Sequence, residues 1–151
     1  EVFVKINGET HYLWRAVDHE GEVLETYVTK RRDRKAALNF LRKLMKRCGS
    51  PTMIVTDRLR SYGTAMKVIG NVDKQEVGRW KNNRAENSHL PFRRRERAML
   101  RFRRMLSLQK FVAVHSSIHN HFNQERHLYS RQNFKLNRTA ALTEWRLLCS
   151  A

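Results

Sequence analysis

Residues 2–29 read VFVKINGETHYLWRAVDHEGEVLETYVT, and this stretch sets the fold class. Val2, Val4 and Ile6 alternate with Phe3 and Lys5 at the period of a strand. Asn7-Gly8 follows, with the backbone freedom that a two-residue hairpin turn requires. The return strand is predicted over about Thr10–Val17, with Tyr12, Trp14 and Ala16 on one face. The polar stretch Asp18–Gly21 makes a second turn. A third strand then runs from Glu22 to about Thr29, with Val23 and Tyr27 facing one way and Leu24 and Val28 the other. Three strands joined by short turns form an antiparallel meander.

Beyond the meander the periodicity changes. Asp33 is placed to cap a helix in which Ala37, Leu38, Leu41, Leu44, Met45 and Cys48 recur at helical spacing, and Gly49 with Pro51 stops it. Thr52–Thr56 is short and nearly all apolar, as expected of a strand buried on both faces. A weaker helix covers about Leu59–Val68, and a short strand about Gln75–Gly78. Asn82–Arg104 has a helical pattern that Pro91 interrupts and would kink. Leu108, Phe111, Val112, His115, Ile118 and Phe122 form an amphipathic stripe, and a last helix covers about Thr139–Leu148. Three antiparallel strands, helix, strand, helix, short strand and further helices suit a mixed α/β sheet covered by helices, the ribonuclease-H-like arrangement. In that arrangement the strand after the first helix lies beside the first strand.

The chain's 151 residues, 40% of them hydrophobic, can bury one core, so a single domain over 1–151 is expected. The formal net charge of +17 favours a polyanionic partner. The excess is uneven: residues 1–78 carry 15 Lys/Arg against 10 Asp/Glu, whereas residues 79–151 carry 16 against 4. The second half is the expected nucleic-acid face. No apolar run approaches the roughly 20 residues that span a bilayer, and no signal peptide is visible. Cys48 and Cys149 are too few and too distant for a disulfide scaffold or a zinc ribbon, which favours a reducing cytoplasm. The chain opens on Glu1 and enters a strand at once, as a fragment of something longer would.

Candidate chemistry lies in residues 82–97, NNRAENSHLPFRRRER. On a helix Glu86 and Arg93 stand seven residues, two turns, apart and so point the same way. Asp57 closes the run Met53, Ile54, Val55, Thr56. A strand-end Asp and a helical Glu can share a divalent cation, while Arg93, Arg94, Arg95 and Arg97 suit DNA phosphates.

The segments HYLWRAVDHEGEVLE, RKAALNFLRKLM, IVTDRLRSY, GRWKNNRAENSHLPFRRRERAMLRFRRM and FNQERHLYSRQNFK together resemble bacterial insertion-sequence transposases of the DDE class, and most of all the small replicative, cointegrate-forming family. The resemblance implies a retroviral-integrase-like catalytic domain whose Asp, Asp, Glu triad binds two magnesium ions, with manganese able to substitute. It implies metal-dependent cleavage and strand transfer at the element's terminal inverted repeats. Terminal repeats and target DNA would be the partners, engaged by a homo-oligomer at the bacterial nucleoid. By motif, Asp57 in VTDRLRSY matches the second acid and Glu86 in NNRAENSH the third, so both are expected to be catalytic and metal-binding. Arg93 falls where the superfamily often has a basic residue seven positions after the Glu. Two departures stand out. The 28 residues between Asp57 and Glu86 are few for the superfamily. The family's first Asp belongs immediately before Glu1, and the family's N-terminal DNA-binding region is also absent from this sequence, so the chain as given is expected not to cut DNA.

Blander readings stand beside these. Asp57 can cap the following helix, Glu86 can be an ordinary ion-pair residue, and the arginine run can be a solvated face. Asp18, the one substitute for the missing first acid, sits in DHEG and reads as a turn residue. Glu1 adjoins the right place, but strand neighbours face opposite sides, so it would point away. His115 and His119 have the spacing of a metal pair without the Glu of an HExxH site, and read as core or surface histidines. Trp80 reads as a packing anchor beside Asn82 and Asn83. The rival to an enzyme is a catalytically inactive DNA-binding remnant of the same fold; a structure-specific nuclease is a third possibility.

Overall fold

The computed structural model describes residues 2–78, 80–99, 101–124 and 126–150. Strands β1 (Val2–Ile6), β2 (Glu9–Val17) and β3 (Val23–Thr29) form the antiparallel meander in the order β1-β2-β3. Asn7 (φ 51°) and Gly8 (φ 84°) both adopt the left-handed region, the combination that matches a hairpin turn to strand twist. At the second turn Asp18 Oδ1 accepts the backbone N–H groups of Glu20 and Glu22, each at 2.9 Å. That engagement makes Asp18 a turn residue, as its sequence context indicates.

Alternation along the strands feeds two apolar layers. On one face Val2, Val4, Ile6, Leu13 and Val28 bury against Phe92, Leu108 and Val112. On the other, Trp14 is enclosed by Ala37, Phe40 and Leu41 of α1 (Arg34–Cys48) and by Tyr62, Ala65 and Met66 of α2 (Arg60–Ile69). Asp33 caps α1 by accepting the Ala36 N–H at 2.8 Å, and Gly49 (φ 81°) ends it. The buried stripe of α1 includes Phe40, which the sequence reading passed over, and excludes Cys48, which is exposed. Glu25, buried on β3, receives Lys43 at 3.1 Å and Arg47 at 3.5 Å, tying α1 to the sheet.

Strand β4 (Ile54–Thr56) departs from expectation twice. It pairs in parallel with β5 (Gln75–Val77), and no ladder joins it to β1 among the described residues. Nor is Thr52–Thr56 buried on both faces: Met53 is 52% exposed and Ile54 only half-buried. Period-two alternation explains this. Ile54 packs into the cluster of α1 and α2, and its neighbour Met53 turns to the opposite, exposed side.

The second half is helical: α3 (Asn83–Asn87), α4 (His89–Ala98), α5 (Met105–Phe122) and α6 (Arg131–Ser150). Asn82–Arg104 is therefore not one helix kinked at Pro91. The break falls at Ser88, and helix ends at Ala98. Pro91 lies in the first turn of α4, where a missing N–H costs no helical bond. Helix α5 presents the stripe read from sequence, with Leu108 and Val112 fully buried. Its amides also close the free edge of β3. Gln109 accepts the Val28 N–H at 2.8 Å and donates to Thr26 O at 3.1 Å; Asn120 makes the same pair with Val23 at 2.9 and 3.0 Å. A side-chain amide thus stands in for a neighbouring strand's peptide and protects the edge. Helix α6 begins eight residues before the predicted start, since Arg131–Arg138 is too polar to show a stripe. It rests on α5 through Ala141 and through Trp145 against His121 and Phe122. The whole is a mixed α/β, ribonuclease-H-like arrangement, and no described helix is long and apolar enough to cross a membrane.

Candidate active site and basic face

Asp57 follows β4 directly and is half-buried. Its Oδ1 accepts the Leu59 N–H at 3.0 Å, and Leu59 is the N-cap residue of α2. One carboxylate oxygen therefore closes the strand-to-helix turn. The residue before it, Thr56, is buried and accepts Gln75 Nε2 at 2.8 Å, which fixes the strand end against β5.

Glu86 is exposed on α3, a helix of five residues with no buried member. The joint that follows is better anchored. Ser88 is buried, keeps helical angles (φ −62°, ψ −18°), and donates from Oγ to Ala85 O at 2.6 Å. Arg15 of β2 donates from Nη1 to the Ser88 carbonyl, and its guanidinium lies 5.9 Å from the Phe92 ring centre. Arg15 is only 6% exposed, and burial lowers its pKa to about 10. His89, next to the joint, is pushed down to about 3 by burial, with the positive charges of Arg15 and Arg93 adding to the effect. Its Nδ1 is buried without a hydrogen-bond partner.

The four candidate arginines part company. Arg93 is half-buried and paired with Glu96 at 2.5 Å, one turn along α4, so it is already neutralised within the fold. Arg94, Arg95 and Arg97 are exposed. Arg95 reaches a cavity of about 410 Å³ between α4 and α5, lined also by Phe111, His115 and His119. His115 and His119 stack at 6.3 Å, and His115 meets Phe92 edge-on, so His115 belongs to an aromatic cluster, as its place on the stripe indicates. Burial first, then Arg15, lowers the pKa of both. Trp80 is 74% exposed, which overturns its reading as a packing anchor. Glu1, expected to point away from the site, lies outside the described residues.

No group of three or more His, Cys, Asp or Glu side chains that could hold a metal ion forms among the described residues. Asp57 and Glu86 offer carboxylate oxygens of the kind that magnesium and manganese take. Two carboxylates are fewer donors than a pair of such ions takes. Sequence reasoning missed Arg15 and Ser88. The signal was an arginine at a position of β2 whose alternation with Trp14 and Ala16 turns it toward the α4–α5 layer.

A helix-covered mixed sheet of this kind defines a ribonuclease-H-like domain. The chain belongs to the DDE domain family of IS240-type transposases, whose family model matches residues 1–125. It is 33% identical over 94 residues to the transposase for insertion sequence-like element IS431mec of Staphylococcus aureus, a match covering 59% of this chain and 42% of that one. The same figures hold for the transposase for insertion sequence element IS257 in transposon Tn4003 of that species. An uncharacterized protein of Yersinia pseudotuberculosis is 30% identical over 69 residues, 44% of this chain and 64% of that protein. The chain thus spans less than half the length of the curated transposases it matches. No solved structure matches it.

Proposed function

We propose that this domain is the catalytic part of an insertion-sequence transposase. Its reaction is metal-dependent phosphodiester cleavage and strand transfer at the element's ends. The observation that carries the reading is the DDE family match over residues 1–125, which spans both acidic motifs. Asp57 and Glu86 would hold a divalent cation, magnesium with manganese as substitute. When bound, such ions activate the attacking oxygen and stabilise the leaving one. Asp57 is held by the start of α2, and Glu86 stands on α3 in open solvent, where a DNA strand can reach it. Arg94, Arg95 and Arg97 would take phosphates of the terminal repeats or the target, with the protein acting as a homo-oligomer on DNA.

Three proteins test this on DNA bearing the element's ends, with manganese. They are the chain as given, the chain carrying the family's first Asp and N-terminal DNA-binding region upstream, and that second form with Glu86→Gln. Cleavage is expected from the second alone. Activity in the Glu86→Gln form removes Glu86 from the site. Inactivity of all three favours a DNA-binding remnant.

A further inference from the structure

Helix α3 carries Glu86 and depends on its attachments for its direction. Five residues are far below the length at which a helix holds itself in water, and none of these five is buried. One attachment is Ser88, which is buried: its Oγ bonds back to Ala85 O within α3, and the Arg15 guanidinium holds its carbonyl from β2. Arg15 is an unusual anchor. It is buried on β2 opposite Thr26, no Asp or Glu forms an ion pair with it among the described residues, and its Nε and second terminal nitrogen are buried without partners. A guanidinium in that state is costly, and apolar residues of similar size would stabilise the same place better. What an apolar residue cannot supply is a charge-assisted bond to a backbone carbonyl, delivered from a strand by a planar group that also lies over the Phe92 ring. The bond and the ring contact bracket the α3–α4 joint: Ser88 is on one side of His89, and Phe92, fully buried, is in the first turn of α4.

We propose that Arg15 is a positioning residue for Glu86: it clamps the Ser88 carbonyl to β2 and so sets the direction in which α3 presents the carboxylate. This role rests on the reading of Glu86 as a metal-binding acid. Lysine lacks the planar fork and the ring contact and holds the joint only in part; methionine fills the space and does not hold it.

The test uses the full chain and manganese alone, with free metal followed by electron paramagnetic resonance and backbone amide exchange followed by NMR. The variants are Arg15→Met, Arg15→Lys, Glu86→Gln and the double variant Arg15→Met/Glu86→Gln. Arg15→Met is expected to weaken manganese binding at least about fivefold and to speed exchange of the Asn87 and Ser88 amides about tenfold, with a thermal midpoint at or above that of the parent. Arg15→Lys should lie between. Because Arg15 acts through Glu86, the double variant should bind no more weakly than Glu86→Gln alone. Should Arg15→Met fail to fold, Arg15→Lys carries the same comparison. Parental manganese affinity in the Arg15 variants, with Glu86→Gln weakened, overturns the positioning role and leaves Glu86 in place. Parental affinity in Glu86→Gln overturns the reading of Glu86 itself. Losses that add in the double variant show Arg15 acting by another route and also overturn the proposal.

Discussion

The two halves of the chain are built to different rules. In residues 2–78 a sheet and two helices bury Trp14, Phe40, Leu41 and Met66 in one contiguous cluster, and helix α1 carries its own cap and stop. Beyond residue 79 the described residues add only Phe92, Leu108, Val112 and Ala141 to the buried apolar set, although they include four helices. Leu106, Leu136, Leu147 and Leu148 stay exposed there. The same half holds 16 Lys/Arg against 4 Asp/Glu. One face of the sheet is packed by the first half's own helices. The other is packed by the second half, through Phe92 of α4 and the α5 stripe, and the second half presents charge outward. Like charges on that outward face repel one another and oppose the compact state.

The largest expected effect follows from that contrast. Trp14 is fully buried, meets Tyr62 edge-on at 5.5 Å, and donates from Nε1 to Thr29 Oγ1 at 2.8 Å. Trp14→Ala should destabilise the domain by about 3–5 kcal/mol in urea unfolding. Leu147→Ala on α6, where the side chain is 66% exposed, should change stability by less than about 0.5 kcal/mol. A large loss at Leu147 would mean that α6 is covered in solution and that the two halves are less different than they look.

DNA binding sharpens the comparison on the other side. Each neutralised phosphate contributes about −0.9 to the slope of log K against log salt. Replacing Arg93, Arg94 and Arg95 together with Ala should flatten that slope by about 1.8 rather than about 2.7, since Arg93 is already paired with Glu96. Exchanging the exposed Arg42 and Lys46 of α1 for Ala should leave the slope unchanged. An equal flattening from the α1 pair would show charge acting as a diffuse cloud, with no basic face to speak of.

What the sequence disclosed was whatever is local. The Asn7-Gly8 hairpin, the Asp33 cap, the Asp18 turn and the α5 stripe each declare themselves within a few residues. The family was legible through the motifs around Asp57 and Glu86, and the family match over residues 1–125 bears it out. Features that need a third dimension stayed hidden. Met53 reads as core until one sees that Ile54 takes the side that faces α1 and α2. The break at Ser88 is masked by helical angles on both sides of it and by a proline three residues on that draws the eye. Arg15, Gln109 and Asn120 are polar residues whose partners lie on distant segments, 73, 81 and 97 residues away, and no window along the chain contains both ends of such a bond.

A pH dependence tests the seam between the halves, where His89 sits. Its folded pKa, about 3, lies below the value of about 6.5 for an unfolded histidine, chiefly because burial opposes the charged form. Between those values the unfolded chain binds a proton at this site and the folded chain does not, so stability rises with pH. The contribution is complete above about pH 6.5 and drains away as pH falls toward 3. His115 and His119 are shifted the same way and reinforce the trend. Removing one titrating group should therefore weaken the trend without abolishing it. Thermal midpoints measured at pH 7 and pH 4.5 should fall less for His89→Gln than for the parent. Identical falls in both would place His89 in water, and the seam would then be a wet contact between two halves rather than an extension of the first half's packing.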